Sequence, residues 1–233
     1  MDPRPADRRC GLVAGVDGCP GGWVVATIPV DAPADGEAHI EIETVQTFAQ
    51  LVERDLIAVG VDMPFMLADD GPRPDETAAR RLLGPRRSSI FPSPIRPVLA
   101  CEDYHEALEV SRAITGKGLS KQAWNLVPKI IEVSDAVCSR ADVPPVVLEV
   151  SPELSFLGMT GAPMAEPKRT STGQQDRVEA LRSVLGPLPD AAVSPPAPAR
   201  PDDALDALAV AWSTRRWALG EALIVGENPR FIY

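Results

Sequence analysis

The stretch GVDGCPGGWVVATI, Gly15 to Ile28, sets an aspartate inside an apolar run and follows it at once with glycine and proline. Residues 11–17 and 22–28 are apolar and β-branched, and the CPGG that divides them is turn chemistry, so the segment predicts a β-hairpin. Asp17 then closes the first strand. A carboxylate there needs a reason, because a buried charge is costly unless something positive compensates it.

Working outward, HIEIETV (39–45) alternates polar and apolar residues at period two and predicts a third, half-exposed strand. A short helix through Phe48 to Arg54 leads to LIAVGVD (56–62), apolar throughout as a strand covered on both faces should be. From Met63 to about Pro145 helical patterns at 75–83, 103–114 and 120–139 alternate with the Pro- and Ser-rich GPRRSSIFPSPIRP. This predicts a helical insertion at about 63–145 within a single domain of residues 1–233. VVLEV (146–150) returns to strand character. AEPKRTSTGQQ reads as a mobile loop before a helix at about 176–185, and PLPDAAVSPPAPARP as a connection too rich in proline to be helical. Asp202 or its neighbour opens a long helix, DALDALAVAWSTRRWALG, ended by Gly220, and ALIVG gives a late strand. The order predicts an α/β fold with a mixed sheet and flanking helices.

A chain of 233 residues, 45% of them hydrophobic, can bury one full-sized core. No apolar run approaches the ~18 residues that cross a bilayer, and MDPRPADRRCGLV has no long apolar region before a small-residue cleavage site. A soluble, cytoplasmic protein without a membrane partner is expected. Cys10, Cys19, Cys101 and Cys138 are far apart with no CxxC pairing, which suggests reduced thiols. With only His39 and His105, a histidine triad or histidine-rich metal centre lacks material, and hard chemistry falls to carboxylates. The net charge of −10 opposes non-specific attraction to nucleic acid. Residues 71–130 nevertheless hold ten Lys/Arg against six Asp/Glu, net +4, leaving −14 on the rest.

Three acids share a position: Asp17 and Asp62 end predicted strands, and Glu149 lies one residue from the end of VVLEV. Neighbouring parallel strands would project them from one edge of the sheet, where open α/β sheets place their sites. In DDALDALAVAW, Asp203 and Asp206 are three apart and share a helix face. Asp202 suits an N-cap, while Asp206 sits within an apolar stripe where a solvated charge is not expected. Oxygen ligands without imidazole or thiolate suit Mg²⁺ or Mn²⁺. Asp17, Asp62, Glu149 and Asp203 are the expected metal ligands, and with Asp206 the catalytic pool. Two ions ~3.5–4 Å apart would serve phosphodiester cleavage, and equally a phosphoryl transfer.

GVDGCPGGWVVA, VDMPF, ARRLLGPRRSSIFPSP, GKGLSKQAWNLVPKIIEV, EVSPELSF, KRTSTGQQDRVEAL and DDALDALAVAW together resemble the family called domain of unknown function 429, described as predicted nucleases of ribonuclease H-like fold. The resemblance runs from Gly15 to about Arg216. It implies a ribonuclease H-like sheet and a divalent-metal nuclease site. Asp17-Gly18 is similar to the first-strand Asp-Gly of the related Holliday-junction resolvases, and Asp203 to Ala209 is similar to their terminal-helix pattern D-A-A-D-A-L-A. Asp62 stands where that superfamily often has glutamate, and Glu149 is an additional acid.

In the helical insertion, Arg86, Arg87, Ser88 and Ser89 could hold phosphate through bidentate and hydroxyl contacts. Equally, the two serines could simply terminate a helix. Lys121 and Lys129 are further phosphate candidates; Ser120 should cap their helix, Pro128 should kink it, and Lys129 with Glu132 could form an i,i+3 pair. Lys168, Arg169 and Thr170 precede Gly173 and Arg177 in a segment read either as a substrate flap or as an ordinary surface loop.

Three functions follow. The first is a metal-dependent nuclease on nucleic acid or a nucleotide, for which 5% aromatic residues offer little base stacking. The second is a phosphotransferase of the actin and sugar-kinase kind, with the hairpin turn cradling phosphates. The third is a catalytically silent binding module of the same fold, for which a homodimer is a natural form.

Overall fold

The computed structural model describes residues 11–31, 39–140, 144–226 and 231–233. Cys10, expected as a free thiol, lies outside them, while Cys19, Cys101 and Cys138 are free.

Strands β1 (Leu12–Cys19) and β2 (Gly22–Pro29) form the hairpin, with Cys19 opposite Gly22. Pro20 and Gly21 make the two-residue turn, and Gly21 takes φ 75°, the left-handed geometry that glycine adopts without cost after a proline. β3 (Glu41–Val45) adds antiparallel to β2. Helix α1 (Ala49–Val52) is shorter than its sequence pattern, and β4 (Ala58–Val61) returns parallel to β1.

Between β4 and the next strand stand α2 (Pro74–Leu83), 3₁₀ turns at Gly84–Ser89 and Arg96–Ala100, α3 (Tyr104–Thr115) and α4 (Lys121–Cys138). The Ser120 hydroxyl caps α4 as expected, accepting from Ala123 N at 3.1 Å, and Pro128 lies within the helix. β5 (Val146–Glu149) then pairs parallel to β4. The chain continues through α5 (Pro152–Thr160), α6 (Ser171–Leu185), α7 (Pro201–Leu219) and a small ribbon of β6 (Ile224–Val225) and β7 (Phe231–Ile232). The five-stranded order β3-β2-β1-β4-β5, with only β2 running against the rest, is a ribonuclease H-like sheet.

Strand alternation sends Val13, Val24, Ala26, Ile28, Leu148 and Val150 to one face, under α7 and α6, and Ala14, Val16, Trp23, Val25, Val59 and Val61 to the other, under α4 and α1. Helix α7 lies very close to its face. A Cβ on Gly15 would stand 2.1 Å from Ala211 N and 2.2 Å from Ala207 O, and one on Gly60 would stand 2.1 Å from Thr214 Oγ1. The missing side chains set the helix–sheet spacing, and Ala204, Leu205, Leu208 and Val210 fill the remaining space fully or almost fully buried. Each such leucine contributes roughly 1.5–3 kcal/mol relative to exposure.

One helix was not expected from the sequence, and two local expectations change. Helix α5 carries no amphipathic signal because Pro152 to Phe156 are buried in succession. Helix α6 starts at Ser171 rather than near Asp176, since Thr170 caps it by accepting from Gly173 N at 3.0 Å. At α7 the cap position is Arg200 rather than Asp202, with Pro201 in the first turn, and Asp203 closes the end by accepting from Arg200 N at 3.0 Å. Among the described residues no helix is long and apolar enough to cross a membrane.

Candidate carboxylate site

Asp17 follows Val16, whose register partner is Val61, and Asp62 follows Val61. The two aspartates therefore leave adjacent parallel strands at the same level, on the face covered by α7. Asp206, one turn into α7 and 2% exposed, comes down on them. The three carboxylates feel one another. Asp17, 8% exposed, has its pKa raised well above 3.8 by burial and then by the charges of Asp62 and Asp206. Burial and Asp206 raise Asp62 to about 7. Burial raises Asp206 too, against the lowering influence of Lys168.

Lys168 supplies the compensating charge. Its ammonium donates to Asp206 Oδ2 and also acts on Asp17 and Asp62, and these carboxylates raise its pKa although burial lowers it. Glu153, in the first turn of α5, is a fourth acid acting on Asp62 and Asp206. One of its oxygens is held by Arg177 Nη2 at 2.6 Å; the other, Oε2, is buried without a hydrogen-bond partner. The sequence reading missed Glu153. Its only signal was an acid four residues after Glu149, just inside the next helix.

Above the acids lies a cleft of about 340 Å³. Asp62, Glu153 and Asp206 line it together with Arg86, Ser88, Ser89, Phe91, Gln122, Lys168 and Arg169. Arg86, Ser88 and Ser89 thus line the same cleft as Asp62 and Asp206. Arg87, beside them on the 3₁₀ turn, is exposed and does not line the cleft.

Several candidates lie elsewhere. Glu149 pairs in register with Val61, not with Asp62, so alternation points it to the opposite face. There it meets Arg73 Nη1 at 2.8 Å, while Arg73 also holds Asp75 Oδ1 at 3.2 Å, a buried cluster joining α2 to the sheet edge. Burial raises Glu149 to about 8 despite Arg73. Val150 holds the level shared with Asp17 and Asp62. Asp203 is committed to its cap, and Asp202 is 3.4 Å from Arg169 Nε. Lys121 is exposed over the Tyr104 ring at 5.6 Å; one position on, Gln122 faces the cleft. Lys129 and Glu132 feel each other's charge but make their contacts elsewhere, on the hairpin and on Phe48. Lys129 donates to Gly22 O and lies 3.9 Å from the Trp23 ring centroid, and Glu132 accepts from Trp23 Nε1 and Phe48 N. The Lys129 stem also covers Gly18, where a Cβ would meet its Cδ at 3.2 Å, so it fills that side of the hairpin turn.

The fit to a divalent cation can be judged from the donors. Among the described residues no group of three or more His, Cys, Asp or Glu side chains is arranged to hold a metal ion. The chemistry fits all the same: three carboxylates with raised proton affinity offer only hard oxygens, and Asp206 Oδ1 is buried with no hydrogen-bond partner.

Fold and site together define an α/β domain of ribonuclease H-like topology whose acids gather at one end of the sheet. The model of the family described as "Protein of unknown function (DUF429)" matches residues 15–230, and the chain belongs to that family. No curated protein matches the chain significantly. Among solved structures, it is similar to Thermus thermophilus RuvC in complex with a Holliday junction substrate, at 16% identity over 91% of this chain and 97% of that one, with a TM-score of 0.46. A second structure of Thermus thermophilus RuvC gives 14% identity over 90% and 97%, with a TM-score of 0.37.

Proposed function

We propose that the chain is a divalent-cation-dependent nuclease, hydrolysing phosphodiester bonds of nucleic acid with Mg²⁺ or Mn²⁺. The observation that carries this reading is the convergence of Asp17, Asp62 and Asp206, from two strands and a helix, beneath a cleft lined by Arg86, Ser88 and Ser89. Like charges gathered out of water must be protonated or matched by cations, and one lysine does not neutralise three carboxylates when they are ionised.

Asp17, Asp62 and Asp206 would hold the ion. A bound divalent cation supplies Lewis-acid polarisation of a phosphoryl oxygen and a water activated near neutral pH. Arg86 and the hydroxyls of Ser88 and Ser89 bind the non-reacting phosphate oxygens, which sets the orientation of the scissile group. Arg169 and Lys168 add positive charge to a cleft in an otherwise acidic protein and draw the polyanion to it.

The test is turnover of labelled single-stranded DNA, duplex DNA, RNA and branched DNA, with ATP alongside, in Mg²⁺, Mn²⁺ and chelator. Cleavage that needs the ion and disappears in Asp17→Asn supports the proposal. ATP consumption with every nucleic acid left intact refutes it and favours phosphoryl transfer.

A further inference from the structure

Beside the cleft lies a smaller cavity of about 40 Å³ that shares Asp62, Ser89, Phe91 and Ser151 with it. Space of that size takes roughly three water-sized groups, so one edge of a flat ring can enter while the rest of the ring stays in the main cleft. Phe91, Phe231, Met63 and Pro64 give the cavity apolar walls. The Arg73 guanidinium, 5.4 Å from the Phe231 ring centroid, backs one of them.

Two of its polar groups are uncommitted. Glu149 lines the cavity and is 2% exposed; its Oε1 is ion-paired with Arg73 Nη1 at 2.8 Å, and its Oε2 is buried with no hydrogen-bond partner. A buried acceptor without a donor is costly, so the cavity calls for an N–H group. Ser151, also 2% exposed, stands at the N-cap of α5, yet its side chain does not cap the helix. Serine at that position ordinarily bonds the helix amides, and here its hydroxyl is left to the cavity. Glu149 comes from the sheet face opposite Asp62, on the side away from the gathered aspartates. In a nucleotide whose phosphate lies at Arg86, Ser88 and Ser89, the amino groups that reach farthest from the sugar are N6 of adenine and N4 of cytosine, whereas N2 of guanine lies on the sugar side.

Resting on the nuclease reading above, we propose that the smaller cavity is a base-recognition subsite, which takes the amino edge of cytosine or adenine with Glu149 Oε2 as acceptor and Phe91 against the ring. Uracil and thymine bring a carbonyl oxygen to the same place and are disfavoured. Glu149, away from the gathered aspartates, then determines which base is accepted.

The experiment is titration calorimetry of the full chain with nucleoside 5′-monophosphates, in chelator at pH 9. Burial lifts the Glu149 carboxyl to about 8, so at that pH it acts as an acceptor alone. CMP should bind at least about tenfold more tightly than UMP, and AMP than purine riboside monophosphate, which lacks only the amino group. Glu149→Gln, its fold checked by circular dichroism, keeps an oxygen for Arg73 and offers the ligand an N–H, so it should abolish or reverse both preferences. The ligand pairs need no variant and decide the matter even where Glu149→Gln does not fold. Equal binding within either pair, no binding of any monophosphate, or a preference kept by folded Glu149→Gln would overturn the inference and leave the nuclease reading to its own assay. The expected preferences with every nucleic acid left uncut would support the subsite and remove the nuclease reading.

Discussion

Asp62→Asn separates what the site costs from what it does. Burial and the charge of Asp206 raise the Asp62 pKa from 3.8 to about 7. The folded chain holds that proton more tightly than the unfolded one. Its stabilising effect is complete below about pH 4 and is lost as pH rises through about 7. The difference is worth roughly 4 kcal/mol at pH 8. Shared among three interacting carboxylates, ~2–4 kcal/mol is the figure for one of them. Asparagine keeps the shape and drops the charge, so in chelator at pH 8 the variant should be the more stable chain, with a melting temperature higher by roughly 5–15 °C for a domain of this size. At pH 4 the advantage should disappear. In Mn²⁺ the order should reverse in one respect: the native chain gains stability with ion concentration, and the variant loses most of that gain. Differential scanning calorimetry at both pH values, with chelator and with Mn²⁺, reads all of this. A variant no more stable than the native chain at pH 8, or an advantage that persists unchanged at pH 4, would refute the reasoning.

Gly15→Ala should destabilise by about 3 kcal/mol or more, because its Cβ would meet the backbone of α7 at 2.1 Å rather than a side chain that can turn away; urea denaturation checks it, and a loss under 1 kcal/mol would show that the helix moves freely. Arg177→Met should cost about 3–5 kcal/mol by leaving Glu153 buried and unpaired, with the fall in urea midpoint as the measurement and an unchanged midpoint as the contrary result.

The sheet was legible because its strands carry their own signals: the hairpin has turn residues between two β-branched runs, and the LIAVGVD strand is apolar on both faces. The helices α2, α3 and α4 show amphipathic periodicity, and their ends fell within a residue or two of the pattern. Helix α5 lacks that periodicity since Pro152 to Phe156 are buried in succession, and the polar first turn of α6 resembles a loop until its threonine cap is seen. The acids were legible in kind and only partly in place. Asp17, Asp62 and Asp206 could be gathered from strand ends and helix spacing. Glu149 required register: one residue's offset from Asp62 turns it to the other face, toward an arginine 76 positions earlier in the chain. Lys168 and Glu153 reach the site only through tertiary packing. Such contacts leave no local pattern: Arg177, in the helix that follows Lys168, donates to the carbonyls of Glu166 and Gly173 and to Glu153.

The close seating of α7 on Gly15 and Gly60 has a consequence for engineering. Those contacts act as a fulcrum: Asp206 sits five residues from Ala211, about 7–8 Å along the helix, so a small tilt at the glycines is delivered to the carboxylate almost undiminished. The walls of the cleft come from other elements, chiefly the Arg86–Phe91 segment and the Lys168 turn. The cleft lining can therefore be altered by mutagenesis, while the spacing of the acids is protected so long as two positions without side chains are left untouched.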